Sequence, residues 1–207
     1  MLHLSNLTGK LERIRAISTN TLTNHYCNVM HTVKDDSIIC TKCYSWAMLQ
    51  GFRKNVAIAT QRNSDILSKT LIPYDDVEVI KDDIFRFNAH GELINTMHFK
   101  NLVNIARKNP DCTFALWTKR KNLVARYFKH WRNAINKPSN LILIYSNPRI
   151  DKLMTRPPKW FDKTFNNVSP QNFVRLQNCT GQKCNNCRIC YTHNPLNRIV
   201  EGVKNRG

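Results

Sequence analysis

The sequence predicts an α/β fold, in which a parallel sheet with helices, or a partial (β/α) barrel, is followed by an irregular cysteine-rich C-terminal extension. Between residues 14 and 146, short apolar runs typical of strands alternate with segments whose apolar residues recur at helical spacing. The apolar run 141–146 is typical of a parallel strand covered on both faces. Beyond about residue 157 there is no clear periodicity, so we expect this part to need a staple, that is, a cross-link such as a bound metal, in order to fold.

The first half of the chain contains two predicted strands and one long helical stretch. Residues 14–18 form the first strand, and a loop that carries cysteines follows it. Helical residues then run from about 44 to 69, with a break at Gly51, and Pro73 ends the stretch. Residues 84–89 form the second strand, which completes a β-α-β unit.

The second half of the core continues the alternation. Asn95 or Thr96 is a suitable N-cap for a helix whose apolar residues recur at i, i+3, i+4 and i+7. A strand at 112–118, a helix at 122–136 and the strand at 141–146 follow. In parallel folds of this kind, ligands collect at the carboxyl ends of the strands, so the polar residues there are candidate site residues.

We expect two parts in the chain. Residues 1–156 form an α/β core with a three-cysteine motif near its start, and residues 157–207 form a cysteine-rich metal-binding extension packed on that core. No apolar run approaches the roughly 20 residues that a bilayer span requires. Glu12, Arg13 and Arg15 interrupt any N-terminal signal region. These features predict a cytoplasmic protein without membrane contact.

The charge of the chain points to a polyanionic partner. There are 32 Lys and Arg residues against 14 Asp and Glu, a net charge of +18, and nucleic acid is the usual partner of such an excess. A lysine-rich composition that aids solubility is the alternative interpretation. Residues 100–137 are especially basic, and we take our candidate nucleic-acid contacts from them: Lys119, Arg120, Lys121, Arg126, Lys129 and Arg132.

Seven of the eight cysteines form two tight groups. The N-terminal cysteine group is Cys27, Cys40 and Cys43, and the C-terminal cysteine group is Cys179, Cys184, Cys187 and Cys190. In a reducing cytosol, clustered cysteines indicate metal more often than disulfides. The eighth, Cys112, falls within a predicted strand and is expected in the core.

The two groups differ in the metal chemistry that their spacing favours. The C-terminal group has four closely spaced thiols, which suits an iron–sulfur cluster better than a single zinc ion, although zinc stays the alternative. We expect Lys183, Arg188 and Arg198 to help keep these thiols ionised. The N-terminal group has only three thiols, so either His25 or His31 completes a zinc site, or one iron of a cluster stays open for catalysis.

In addition, the sequence resembles the phage gene product 88 family over most of its length. The C-terminal cysteine group and the order and spacing of several short motifs carry this resemblance. The motifs are Ser5-Asn6, Cys40-Thr41-Lys42-Cys43-Tyr44, Asn55-Val56, Arg86-Phe87-Asn88-Ala89-His90-Gly91-Glu92, Asn109-Pro110-Asp111, Phe114 and Trp117-Thr118-Lys119. The family's usual Ser-Gly-Asp is replaced here by His90-Gly91-Glu92. A phage origin implies location in the host cytoplasm.

More distantly, the layout is similar to that of radical S-adenosylmethionine enzymes. Those enzymes place three cysteines after the first strand, with an aromatic residue next to the last, and Gly-Gly-Glu after the second strand. Here Tyr44 follows Cys43, and His90-Gly91-Glu92 occupies the corresponding position. The first cysteine gap of twelve residues departs from the common Cys-x3-Cys-x2-Cys spacing.

This second resemblance implies specific roles for site residues. The N-terminal group would hold a 4Fe-4S cluster whose open iron chelates S-adenosylmethionine. His90 and Glu92 would be catalytic, and Glu92 would also bind the cofactor's amine. Ser146 and Asn147 would bind its ribose or carboxylate.

Two functions are consistent with these expectations. The first is an iron–sulfur protein with one or two clusters, acting as a radical S-adenosylmethionine-like enzyme on nucleic acid or a nucleotide. The second is a non-catalytic nucleic-acid-binding protein in which zinc or iron–sulfur sites only staple the chain.

Overall fold

A computed structural model of the protein describes residues 1–51 and 53–203. In these residues, seven strands form one sheet, and the helices lie between them along the chain. The strands are β1 (Leu4–Asn6), β2 (Arg15–Ile17), β3 (Ile84–Phe87), β4 (Thr113–Thr118), β5 (Leu141–Ser146), β6 (Lys163–Val168) and β7 (Arg198–Gly202). The α-helices are α1 (His25–Thr32), α2 (Tyr44–Gln50), α3 (Lys54–Lys69), α4 (Thr96–Lys108), α5 (Lys121–Phe128), α6 (Trp131–Ile135) and α7 (Cys184–Cys187).

The strands follow one another across the sheet in the same order as along the chain. β1 pairs antiparallel with β2, and every later neighbour pairs parallel. The carboxyl ends of β2 to β6 therefore lie along one edge of the sheet. The predicted α/β class is confirmed, and the sheet is open, with β1 and β7 at its two sides.

The two faces of the sheet are covered differently. Phe85, Phe87 and Phe114 point to a large apolar core that also contains buried residues of α3, α4 and α5. Their neighbours Ile84 and Ala115 point to the opposite face, whose smaller core includes residues of the C-terminal cysteine segment. We call this opposite face the inner face. The cysteine segment thus takes the place that a second helix layer occupies in a doubly wound fold.

Several predicted elements agree closely with the structure. Asn95 is the N-cap of α4, because its side-chain oxygen accepts the His98 N–H at 2.9 Å. The helical stretch expected from residue 44 to 69 is two helices that separate at Gly51. Cys112 is buried, as expected. The helix expected at 122–136 is broken between α5 and α6, where the Asn133 amide donates to the Tyr127 carbonyl at 2.8 Å.

The C-terminal extension was expected to be irregular, yet it contributes β6 and β7 to the same sheet as the core. β6 lacks an apolar pattern because polar residues fill buried positions, namely Lys163, Thr164 and Asn166. The Lys163 ammonium donates to Asn194 Oδ1 at 2.9 Å and to the Leu196 carbonyl at 2.8 Å. Such internal bonds satisfy the buried polar groups, so the strand forms without hydrophobic alternation. No helix in the described part of the chain is long and apolar enough to cross a membrane.

Burial of His98 in α4 makes the stability of the fold depend on pH. Burial lowers its pKa to about 3, and its Nδ1 accepts the Ile94 N–H at 3.2 Å. The unfolded chain takes up this proton near pH 6.5, whereas the folded chain does not until about pH 3. The full contribution is therefore present above pH 6.5 and decreases as the pH falls, by about 2 kcal/mol at pH 5.

We expect His98→Gln to remove this part of the pH dependence. Urea unfolding at pH 7 and pH 5 measures it. His130→Gln changes an exposed histidine and should keep the wild-type dependence. Equal pH dependence of the two variants would contradict the assignment.

Candidate metal centres

The N-terminal cysteine group is assembled from three short elements next to the carboxyl ends of β3 and β4. Cys27 lies in the first turn of α1, a helix within the segment that we expected to be a loop. Cys40 lies in a 3-10 turn, Ile39–Lys42, and Cys43 directly precedes α2. Burial is the main cause that raises the pKa of the Cys27 and Cys40 thiols. Metal binding here would therefore release protons.

Asn24 connects the Cys27 helix to the turn after β3. As the N-cap of α1, its Oδ1 accepts the Cys27 N–H at 3.3 Å. Its Nδ2 donates to the Glu92 carbonyl at 2.9 Å, and the Thr19 hydroxyl donates to the same carbonyl at 3.2 Å. One buried amide therefore fixes the position of Cys27 relative to Glu92.

The Glu92 carboxylate is buried and accepts three hydrogen bonds. Leu93 N–H donates to Oε1 at 2.7 Å, Lys119 N–H donates to Oε2 at 2.8 Å, and the Thr118 hydroxyl also donates to Oε1. A carboxylate has about four acceptor positions, so about one remains. Glu92 thus anchors the end of β4 to the turn after β3.

His90 belongs to a polar network that joins the turn after β3 to α2. Its Nδ1 is 3.1 Å from the Ser45 hydroxyl, which is 2.6 Å from the Thr21 hydroxyl. Burial, with Arg86 and Arg53 nearby, lowers the pKa of His90 to about 4, so its ring is neutral at pH 7.

Gly91 follows His90 with a φ of 77°, and a Cβ there would be 2.3 Å from the Thr19 hydroxyl oxygen. Any side chain would collide with the loop after β2. The close approach of the two loops therefore requires glycine.

The candidate cofactor-binding residues Ser146 and Asn147 stand further along the same edge, at the end of β5. Both are buried. The Asn147 Nδ2 donates to Asn166 Oδ1 at 3.1 Å and also to the Lys152 carbonyl at 2.5 Å, so this amide shapes the loop that follows. Tyr145, which sequence analysis did not single out, interacts electrostatically with Lys119 and Glu92 and is therefore close to the N-terminal group.

The two histidines considered as a fourth ligand differ in environment. His25 is exposed at the start of α1. The ring of His31 stacks on Trp46 at 4.3 Å between centroids, and its Nδ1 is 3.1 Å from the Cys40 carbonyl oxygen. Metal-bound histidines commonly donate their second N–H to a backbone carbonyl. His31 is therefore the better oriented of the two for the zinc alternative.

All four thiols of the C-terminal cysteine group line one small cavity on the inner face. Cys184 and Cys187 begin and end α7, a single helical turn. Arg188 then takes a left-handed conformation, with a φ of 52°, and reverses the chain toward Cys190. Tyr191, Ile189 and Ile199 supply apolar walls. The cysteines are free thiols, so each can act as a ligand.

The cation beside this cavity comes from the N-terminal end of the chain. Lys10 Nζ is 3.7 Å from Cys179 Sγ and also forms an ion pair with Glu201. Lys183 and Arg188, which we expect to support the thiols, form ion pairs with Glu12 and Asp83, and Arg188 also lines the cavity. The sequence did not predict Lys10 as a partner of these thiols, because it is 169 residues away from Cys179 along the chain.

No three or more His, Cys, Asp or Glu side chains, among the residues that the structure describes, form a group that could hold a metal ion. The thiols of each group nevertheless interact electrostatically with one another. The donor set of the C-terminal group is four thiols, which suits iron–sulfur clusters and zinc. The residues of this cavity therefore fit a metal–thiolate centre in kind and number.

The candidate nucleic-acid contacts divide into two sets. Burial alone would lower the pKa of Lys119. The nearby N-terminal cysteine group and Glu92 outweigh this effect, so the pKa is raised. Arg120 donates to the Leu93 carbonyl at 3.2 Å and lies over the Tyr26 ring. Both therefore lie beside the N-terminal cysteine group. The other candidates are exposed on the α5–α6 segment: Lys121, Arg126, Lys129 and Arg132.

Comparison with known proteins gives one match. A protein-family model described as gene product 88 matches residues 6–169. The matched range includes the N-terminal cysteine group, and the C-terminal cysteine group lies beyond it. No curated protein and no solved structure matches the chain.

Proposed function

The chain belongs to the gene product 88 family, and we propose that it is an iron–sulfur protein with a metal centre at each cysteine group. The observation that carries the proposal is the single cavity lined by all four C-terminal thiols. Four thiols of one short segment face one space, beside a lysine that approaches one sulfur. Cations close to thiols favour the ionised form that binds metal.

The N-terminal group supports a catalytic role for the second centre. Three thiols leave one iron of a cluster without a protein ligand, and the group lies where parallel α/β folds bind their ligands. When bound, such a cluster supplies an electron to a ligand on its open iron. We therefore propose S-adenosylmethionine as that ligand and a radical type of reaction on a nucleotide or nucleic acid.

The residues around the N-terminal cysteine group have specific roles in this proposal. Glu92 keeps about one acceptor position, which can receive the amine of the cofactor, while its other bonds hold the carboxylate in place. The Lys119 ammonium offers a positive charge to the cofactor's carboxylate. Neutral His90 and Ser45 hold the start of α2, and with it Cys43, in register with the turn after β3.

Metal analysis tests the proposal directly. We expect anaerobically purified protein to be brown and to contain iron and acid-labile sulfide in nearly equal amounts. Stoichiometric zinc without sulfide would contradict the iron–sulfur proposal and favour the stapled nucleic-acid-binding protein.

A nucleic-acid-binding surface is the second proposed function, and the exposed basic residues of α5 and α6 support it. We expect the combined variant Arg126→Gln, Lys129→Gln and Arg132→Gln to weaken binding to all sequences alike. Each lost phosphate contact should reduce the slope of log affinity against log salt by about one. Fluorescence anisotropy at several salt concentrations measures this slope.

A matched control comes from the exposed face of α3. Lys54→Gln with Arg62→Gln removes two exposed positive charges elsewhere on the surface. Because the control removes two charges and the test variant three, similar weakening per charge removed would indicate that only net charge matters.

A further inference from the structure

The connection between β1 and β2 covers the C-terminal cysteine group. Its residues Leu7 and Leu11 pack against the inner-face core to which Cys179, Cys184 and Cys190 also contribute. Lys183 fastens this connection by donating to the Gly9 carbonyl at 3.2 Å and to the Glu12 carboxylate at 2.7 Å. The connection between β1 and β2 therefore packs next to the C-terminal cysteine group.

Lys10 is the residue of this connection that reaches a sulfur. Its ammonium is 3.7 Å from Cys179 Sγ, and its side chain is only 23% exposed. The ion pair with Glu201 of β7 holds the ammonium in place from the other side. This arrangement fixes a donor beside a thiol, which a mobile surface lysine would not do.

A second positive charge interacts with the same thiols from the sheet. The guanidinium of Arg86 lies 4.0 Å from the centroid of the Trp117 ring and interacts electrostatically with Cys184 and Cys190. Its Nε is buried and has no hydrogen-bond partner among the described residues. Two cations from distant parts of the chain thus act on one set of four thiols.

We infer that Lys10 is a positioning residue for the C-terminal metal centre, donating a hydrogen bond to the metal-bound Cys179 sulfur. This inference rests on the proposed metal centre. Four thiolates around an iron–sulfur cluster or a zinc ion leave a net negative charge. A hydrogen bond to sulfur and a nearby cation stabilise that charge, and in a cluster they favour the reduced state.

The test compares reduction potentials of the full chain purified anaerobically. Cys40→Ala serves as the background, so that only the C-terminal centre titrates. We expect Lys10→Met to make the potential more negative and to speed metal loss to a chelator about tenfold, as changes next to metal ligands often do. Lys10→Arg keeps a cationic donor and should restore much of both properties.

A further variant separates the effect of the Lys10 hydrogen bond from the effect of anchoring the connection between β1 and β2. Lys183→Met removes the contacts to Gly9 and Glu12 without removing the donor to Cys179, so the potential should not change. If Lys10→Met does not fold, Lys10→Gln, which removes the positive charge but keeps a polar side chain, is compared with Lys183→Met in its place.

Each outcome has a distinct meaning. If Lys10→Met and Lys183→Met have the same potential and the same rate of metal loss, the inference is wrong. If the centre holds zinc, the chelator rates alone decide in the same way. A protein without metal at these cysteines would overturn the proposed function, and this inference with it, before any variant is compared.

Discussion

Cys184→Ala should remove the C-terminal metal and destabilise the whole chain. Cys179, Cys184 and Cys190 pack against the inner-face core, so loss of the metal should loosen the packing of this segment on the sheet. Binding energy at a structural metal site is folding energy. We expect a loss of about 4 kcal/mol, which corresponds to about 10 °C in Tm for a chain of this size. Thermal unfolding with iron analysis of the same sample measures both effects.

The eighth cysteine provides a matched control. Cys112 is buried on the helix-covered face and belongs to neither group. Cys112→Ala should cost about 1 kcal/mol through a small cavity and leave the metal content unchanged. If the two variants lose the same stability and keep the same metal, the C-terminal cysteines are ordinary core residues.

The second large effect concerns the N-terminal group. We expect the reduced wild-type protein to cleave S-adenosylmethionine slowly to 5′-deoxyadenosine, even without its substrate. Cys40→Ala should abolish this cleavage, because a cluster with only two protein thiolates is not held, while the C-terminal centre and its iron remain. Chromatography of the products under anaerobic conditions measures the cleavage.

Thr41→Ala is the control for this prediction, because Thr41 lies in the same 3-10 turn and donates only to the Ile38 carbonyl. It should retain most of the cleavage. A wild-type protein that holds iron but neither binds nor cleaves S-adenosylmethionine would contradict the enzyme proposal and favour a purely structural role for the metal. Loss of the N-terminal metal in His31→Ala would point to a four-ligand site without an open position.

The elements that the sequence predicted well are those whose signal is local. The apolar strand β5 begins and ends at the residues that its apolar run predicts, and Asn95 caps α4 through its own side chain. The polar residues of the turn after β3 also lie at the carboxyl end of that strand, where the sequence places them. In each case, neighbours within a few residues decide the structure.

The features that escaped prediction depend on contacts between distant residues. β6 forms because Lys163 and Asn166 donate hydrogen bonds to carbonyl groups of other segments. Its sequence has no apolar pattern that would predict a strand. Two of the three hydrogen bonds to the Glu92 carboxylate come from Thr118 and Lys119, at the end of β4. The approach of Lys10 to Cys179 likewise exists only once both ends of the chain have folded.

The pairing of Lys10 with Glu201 also constrains the order of events during synthesis. These residues are 191 positions apart, so the ribosome must release nearly the whole chain before they meet. Contacts of such long range form slowly, because closing a long loop costs entropy before any contact forms. The contact of Lys10 with β7 therefore forms late in folding, after β7 has been synthesised and has paired with β6.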